Sequence, residues 1–381
     1  MTRTVTVLGS TGSIGRQTLD VIAHQKNDFN VVALAAGRNA NVLIEQAKAF
    51  RPKFVAIADE GAYQAVKDAL PGMKVAAGMD AVIEAAKMDA DVTMAAIVGT
   101  VGLKPTMEAI KRGKTVAFAS KECLVAAGQI VMDAVKKHGT TFLPVDSEHN
   151  AIFQVLNNGQ GVRRIVLTAS GGPFRDWAPE QIKVATVEQA IAHPTWSMGP
   201  KISVDSATLM NKALEVIEAH HLFGLPSEKI DVILHPQSTV HGMVEYEDGS
   251  FLAQMGPSDM RTPIAVCLGW PDRISTPGAR LDLTKLSRLD FSQPDTSKFP
   301  ALKLVREVLA GDQIHSITFN AANEVAVAAF LSRQISFSQI VNTVSAMLEQ
   351  CHKVAMNSLD DVLACDDNVR TQTHHILKKA A

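Results

Sequence analysis

The run Val5-Thr6-Val7-Leu8 leads without a break into Gly9-Ser10-Thr11-Gly12-Ser13-Ile14-Gly15, after which residues 16–23 have the apolar spacing of a helix. This succession of strand, turn and helix constrains the fold more than any other feature of the chain. Glycines permit a tight turn and a close approach of backbone to an anion, and the free N–H groups and dipole of the following helix stabilise a pyrophosphate there. The spacing is G-x-x-G-x-x-G rather than the commoner G-x-G-x-x-G, and a glycine-rich turn without a ligand is the alternative. The context favours the ligand. Up to about Asp146, apolar runs at 31–35, 54–58, 92–98, 115–119 and 141–145 alternate with helical patterns. That alternation predicts an α/β domain over 1–146, a Rossmann-like, doubly wound parallel sheet.

The second strand ends in Ala35-Ala36-Gly37-Arg38-Asn39, where an NAD enzyme usually carries an acid for the ribose hydroxyls. A guanidinium here suits a 2′-phosphate, so the expected cofactor is NADPH.

A single core stops growing at about 250–300 residues, and this chain has 381, so further domains are expected. Between 147 and 270 the rhythm changes to an α+β pattern. Ile165-Val166-Leu167, Val232-Ile233-Leu234 and a hairpin over 243–253 around Asp248-Gly249 intermix there with polar loops. A Pro- and Asp-rich stretch, 271–300, reads as a linker, and helical spacing at 301–310, 321–331 and 337–349 predicts a C-terminal helical bundle domain over 301–381. With 46% hydrophobic residues, 20% charged residues and a net charge of -2, nothing points to a nucleic acid or membrane partner. No run approaches the roughly 20 apolar residues of a spanning helix. Four cysteines without a C-x-x-C pair indicate neither a disulfide framework nor a zinc site. No basic and apolar leader precedes Val5, so a cytoplasmic location is expected.

Two constellations carry candidate chemistry. Asp146 and Glu148 stand at i and i+2 after a strand, and in an extended segment both carboxylates reach one cation; a helix N-cap with an acid in its first turn is the alternative. The stretch from Asp205 to Glu215 reads as one capped helix, with Asp205 or Ser206 near the N-cap. Thr208, Asn211, Lys212, Glu215 and Glu218 share one stripe of it. Either that stripe is a solvated face, or Ser206, Asn211 and Lys212 hold a phosphate while Glu215 completes a metal site. Ser170-Gly171-Gly172 after a strand suits an anion or is an ordinary turn, and 193–200, with Trp196 between prolines, suits a lid or a packed loop.

The motifs GSTGSIG, AGRN, SKE, VDSEHNAIFQ, SGGPFR, HPTWSMGPKISVDSATLMNKALE, LHPQSTVHG and FNAANE, in this order over nearly the whole chain, resemble the 1-deoxy-D-xylulose 5-phosphate reductoisomerase family. The resemblance implies a three-domain homodimer that uses NADPH and Mg2+ or Mn2+, with Co2+ a further option. It acts on a small phosphorylated sugar by rearranging the carbon skeleton and reducing the aldehyde formed. Carried over by motif, the metal ligands are Asp146, Glu148 and Glu215, and the catalytic residues are these three with Lys121 and His193. Substrate contacts fall on Lys121, Ser147, Glu148, Ser170, His193, Ser206, Asn211, Lys212 and Glu215. Cofactor contacts fall on Thr11, Gly12, Ser13, Ile14, Gly37, Arg38, Asn39, Ser120, Glu122 and Gly199. Two departures stand out: the stretch usually written N-K-E-S is Ser120-Lys121-Glu122-Cys123, and a position that is often Lys is Arg38. A plain NADP-dependent dehydrogenase, active without metal, and a silent nucleotide-sensing module are the rival readings.

Overall fold

The computed structural model describes residues 2–25, 27–196, 198–354 and 356–380. The chain divides into two compact units, Met1–Cys123 with Val131–Phe153 and Asp259–Arg280, and Leu124–Ile130 with Gln154–Ser258 and Leu281–Ala381.

In the first unit, β1 (Arg3–Leu8), β2 (Phe29–Ala36), β3 (Phe54–Ile57), β4 (Lys74–Ala77), β5 (Val92–Ala95), β6 (Thr115–Phe118) and β7 (Thr141–Pro144) form one sheet in the order β4-β3-β2-β1-β5-β6-β7. Every pairing is parallel. Strands buried on both faces read as continuous apolar runs, and Val5, Val7, Leu34, Val55, Ile57, Met94 and Leu143 share one core with Leu19 and Ile22 of the helix Ser13–His24. The strand order reverses between β1 and β5, which is where open α/β sheets bind ligands. Two glycines make the first turn possible. Gly9 has φ +82 and a Cβ on it would lie 2.4 Å from Ala96 O; a Cβ on Gly15 would lie 2.3 Å from Gly9 O, so only glycine lets the helix pack this close to the turn.

The expected boundary at 270 differs from the observed division. The helix Arg261–Gly269 is buried from Pro263 to Gly269 and packs against Ser13–His24. Arg261 pairs with Asp20 at 2.9 Å, and Arg3 donates to Leu268 O at 2.8 Å. A helix that is apolar from Pro263 onward must be covered on every side there, and the first sheet's core covers this one.

In the second unit, β8 (Val162–Ala169), β9 (Ile230–Leu234), β10 (Val240–Tyr246) and β11 (Phe251–Met255) are ordered β11-β10-β8-β9. β8 and β9 run parallel; β10 is antiparallel to β8 and to β11, forming the expected hairpin at Asp248-Gly249. The C-terminal helices Ala301–Ala310, Gln313–Leu331, Phe337–Leu348 and Leu359–Ala380 belong to this same unit rather than to a separate body, because Ala301–Ala310 packs on the helix Met210–Phe223 and Gln313–Leu331 on the helix Pro200–Ala207. Among the described residues no helix is long and apolar enough to cross a membrane.

Candidate functional site

Parallel strands deliver every following loop to one edge of their sheet. The glycine turn follows β1, Gly37-Arg38-Asn39 follows β2, Ser120-Lys121-Glu122 follows β6 and Asp146-Ser147-Glu148 follows β7. Gly12 caps the helix Ser13–His24 without any side-chain bond, and the N–H groups of Ser13 and Ile14 have no acceptor among the described residues. These free donors at a helix N-terminus fit a pyrophosphate. Thr11 O accepts from Arg16 Nε at 2.9 Å and Ser13 Oγ from Gln17 Nε2 at 3.2 Å, which steadies the turn. Gly37 and Arg38 are exposed, whereas Asn39 also caps the helix Ala40–Phe50 by accepting from Val42 N at 3.2 Å. Ser120 is buried and its hydroxyl lies 3.3 Å from Cys123 Sγ, so the two residues that depart from the N-K-E-S pattern pair with each other. Glu122 is buried beside them.

Lys121 Nζ donates to Asp146 Oδ2 at 2.6 Å, and both side chains are largely buried. Ser147 N donates to Asp146 Oδ1 at 2.9 Å, and Ser147 Oγ donates to Glu148. The segment is not extended, as the i and i+2 argument assumed. Asp146 precedes the helix Ser147–Val155, whose Asn150 N donates to Asp146 O at 2.8 Å, and Glu148 lies in its first turn. The acids therefore meet across a helix start, where N–H groups and dipole favour negative charge.

In the second unit the expected single helix from Asp205 is two helices. Pro200–Ala207 ends at Thr208, Leu209 takes φ 57, and Met210–Phe223 begins anew, so Asp205 and Ser206 close one helix instead of capping another. Thr208 donates to Val204 O and accepts from Met210 N, so its hydroxyl stitches the break. The polar stripe is not a solvated face: Lys212 is 3% exposed, Glu215 1% and Glu218 0%. Lys212 and Asn211 both donate to Glu215. Buried charges persist only when paired, and Lys212 with Glu215 forms such a pair.

Ser170 follows β8 in a turn. A Cβ on Gly172 would lie 2.6 Å from Ser206 O, so this glycine lets the turn rest on the end of Pro200–Ala207. His193 Nδ1 accepts from Thr195 N at 3.1 Å and Trp196 N at 2.9 Å. A neutral ring then carries its hydrogen on Nε2, which donates to Ser170 Oγ at 2.9 Å. Ser170 Oγ also accepts from Gly172 N at 3.1 Å, which leaves the hydroxyl hydrogen for an anion. Burial holds His193 below its ordinary pKa, in keeping with the neutral ring. Trp196 packs edge-on to His241 at 6.0 Å, Gly199 caps Pro200–Ala207, and Ser197 of the expected lid lies outside the described residues.

Sequence reasoning missed the loop after β5. It shares the carboxyl edge of the sheet and leaves Val98 70% and Val101 53% exposed, apolar surface that suits a flat ring. Gly99 and Gly102 were the available signal.

Comparison with known proteins follows the same lines. A family model described as 1-deoxy-D-xylulose 5-phosphate reductoisomerase matches residues 5–128, and two models of that enzyme's C-terminal domains match 142–223 and 255–372. The 1-deoxy-D-xylulose 5-phosphate reductoisomerase of Rhodospirillum centenum is 56% identical over 97% of this chain and 92% of its own, and that of Zymomonas mobilis 52% identical over 99% and 98%. A solved structure of the Zymomonas mobilis enzyme in complex with NADPH superposes with a TM-score of 0.94 at 51% identity over 99% of both chains. A second reductoisomerase structure, with NADPH, fosmidomycin and magnesium, gives 0.92 at 40% identity over 99% of this chain and 98% of its own.

Proposed function

This chain belongs to the 1-deoxy-D-xylulose 5-phosphate reductoisomerase family, and from that premise we propose how its residues divide the work. It is an NADP-dependent oxidoreductase that converts 1-deoxy-D-xylulose 5-phosphate to 2-C-methyl-D-erythritol 4-phosphate with a divalent metal such as Mg2+. The observation that carries the assignment of roles is the Lys121–Asp146 pair, which sets an ammonium and a carboxylate on the sheet edge that bears the glycine turn. Mixing the protein with NADPH, Mg2+ and 1-deoxy-D-xylulose 5-phosphate should consume NADPH. Consumption that survives chelation would favour a plain dehydrogenase, and binding without consumption a nucleotide sensor.

Asp146, Glu148 and Glu215 are the metal ligands in this reading. An all-carboxylate donor set suits a hard cation such as Mg2+ or Mn2+ rather than a soft one. The ammonium groups that pair with Asp146 and Glu215 show that both carboxylates already favour a positive neighbour. When bound, the ion polarises the substrate carbonyl and stabilises negative charge on oxygen. Lys121 then donates a hydrogen bond to the reacting oxygens, and Ser147 supports Glu148. Ser170, Ser206, Asn211 and Lys212 hold the phosphate, with His193 orienting Ser170. The turn from Thr11 to Ile14 receives the pyrophosphate, Gly37, Arg38 and Asn39 the adenosine end, and Ser120, Glu122 and Gly199 further parts of NADPH. As stretches of sequence rather than compact units, 1–146, 147–270 and 301–381 are assigned nucleotide-binding, catalytic and helical roles, joined by 271–300. A cytoplasmic location is supported by four free cysteines.

Arg38 should make NADPH preferred over NADH. Arg38→Ala is expected to raise the KM for NADPH at least tenfold more than that for NADH, since a charge-assisted bond to phosphate is lost. Equal rises would remove Arg38 from the 2′-phosphate.

The pH dependence follows from His193. Its pKa in the fold lies below the ordinary histidine value of about 6.5, so its contribution is present above that value and lost as pH falls through the depressed one. Protonation puts a hydrogen on Nδ1 and breaks the bonds from Thr195 and Trp196. The acid limb of kcat/KM should therefore lie below about 6.5 and shift or vanish in His193→Gln. An unaltered limb in that variant assigns it to another group.

A homodimer is supported by β11, an edge strand whose Phe251 is 48% and Leu252 47% exposed. Exposed apolar edges pair with a second copy or aggregate. Sedimentation of the full chain should give about twice its 40.9 kDa, and a monomer would remove this role from β11.

A further inference from the structure

The turn Ser170-Gly171-Gly172 is gripped from a side that the assignment above leaves unused. Arg175 Nη1 donates to Ser170 O at 3.0 Å, and its stem occupies the space beside Gly171, where an added Cβ would lie 2.8 Å from Arg175 Cγ and Cδ. Asp176 anchors the rest of the guanidinium, accepting from Nε at 3.1 Å and from Nη2 at 2.8 Å. Arg175 in turn lowers the pKa of Asp176. Lys298 Nζ donates to Arg175 O at 2.7 Å, which fixes the backbone of the brace itself.

In a trans peptide the C=O and the N–H of one unit point in opposite directions. Arg175 holds the carbonyl of the Ser170–Gly171 peptide, so the Gly171 N–H points away from Arg175. No acceptor for that N–H is present among the described residues. Gly171 has φ +84, the left-handed region in which glycine is at ease, and the turn is braced from inside by the Ser170 hydroxyl, which accepts from Gly172 N, and from outside by Arg175.

We infer that Arg175 is a positioning residue for the phosphate turn, holding the Ser170 carbonyl so that the Gly171 N–H donates to the dianionic phosphate of the substrate. A backbone donor adds directed hydrogen bonding to the charge of Lys212, and successive N–H groups in such a turn form an anion-binding concavity. The inference rests on Ser170 being a phosphate ligand. Arg175 touches neither the reacting carbons nor the nicotinamide in this scheme, so its loss weakens substrate binding while the chemical step is preserved.

The test compares Arg175→Met, Arg175→Lys, Asp176→Asn and Ser170→Ala in the holoenzyme with Mg2+, reading KM for 1-deoxy-D-xylulose 5-phosphate, KM for NADPH and kcat. Arg175 borders an open cavity of about 520 Å³, so its truncation leaves no sealed void. Arg175→Met should raise the substrate KM about tenfold with kcat and the NADPH KM within about twofold, one directed bond being worth about one decade. Arg175→Lys, which keeps a donor for Ser170 O, should recover most of that loss. A substrate KM unchanged in Arg175→Met while Ser170→Ala raises it overturns the inference and leaves Ser170 a ligand. Unchanged values in both remove the phosphate role of Ser170 and the inference together. Equal losses in kcat and both KM values make Arg175 a merely structural residue and also overturn it. Should Arg175→Met give no soluble protein, Asp176→Asn carries the test on an exposed carboxylate: a threefold rise in substrate KM alone is expected, and no rise overturns the inference.

Discussion

Asp146→Asn, Glu148→Gln and Glu215→Gln enzymes should each bind NADPH normally and turn over at least about a thousandfold more slowly than the parent. A divalent ion that stabilises charge on the reacting oxygens contributes several kcal/mol to the transition state, and each 1.36 kcal/mol lost is a decade of rate. The substitutions keep shape and remove one charged ligand. In Asp146→Asn the effect is compounded, because Lys121 loses the carboxylate 2.6 Å from its ammonium. In Glu215→Gln the buried Lys212 ammonium loses the carboxylate to which it donates. Metal titration separates the ligand effect from these neighbours: the Mn2+ concentration that half-restores activity should rise in all three variants, while the KM for NADPH, which reports the first unit, stays put. Full activity after exhaustive chelation, or a Glu215→Gln enzyme with near-normal kcat and unaltered metal affinity, would overturn the assignment.

The parallel sheet was legible because burial on both faces writes each strand as an unbroken apolar run, as in 31–35 and 54–58. β4 escaped notice for the same reason in reverse: it is a four-residue edge strand that begins with exposed Lys74, and an edge needs less apolar sequence. That the helix Arg261–Gly269 packs in the first unit was not legible, because a mostly apolar helix does not say which core receives it. Periodicity put Thr208, Asn211, Lys212, Glu215 and Glu218 on one face, of which the helix Met210–Phe223 carries the last four while Thr208 falls in the break before it, and spacing carries no sign for inside or outside. Burial decided that, and turned an apparent solvated stripe into a charged interior. The Asp146 segment shows a different limit. Strand and helix start both tolerate Asp-Ser-Glu, and the choice fell to the N-cap, a local preference that the i and i+2 argument set aside. Arg175 escaped because it acts on a backbone carbonyl, which no side-chain pattern records.

Lys212→Met should raise the KM for substrate about a hundredfold and also destabilise the second unit, and only the loss of stability should respond to metal. Lys212 and Glu215 are buried and paired, so removing one takes a charged partner from the other in the interior, at a cost of about 3–5 kcal/mol. In Lys212→Met the group that loses its ammonium is the Glu215 carboxylate, which keeps the Asn211 bond and which a divalent cation can neutralise. Thermal stability of this variant should therefore rise with Mg2+ by clearly more than that of the parent, whose carboxylate already has an ammonium. The phosphate contact has no such substitute, since a cation held by Glu215 does not restore the ammonium's directed bonds to a dianion. Substrate KM should stay high at every metal concentration, with the NADPH KM unchanged throughout. The double variant, Lys212→Met with Glu215→Gln, strands no charge, and its loss of stability should fall short of the sum of the single losses. If the single losses simply add, if Mg2+ stabilises parent and variant alike, and if substrate KM is unmoved, then Lys212 is an ordinary structural cation and the phosphate lies elsewhere.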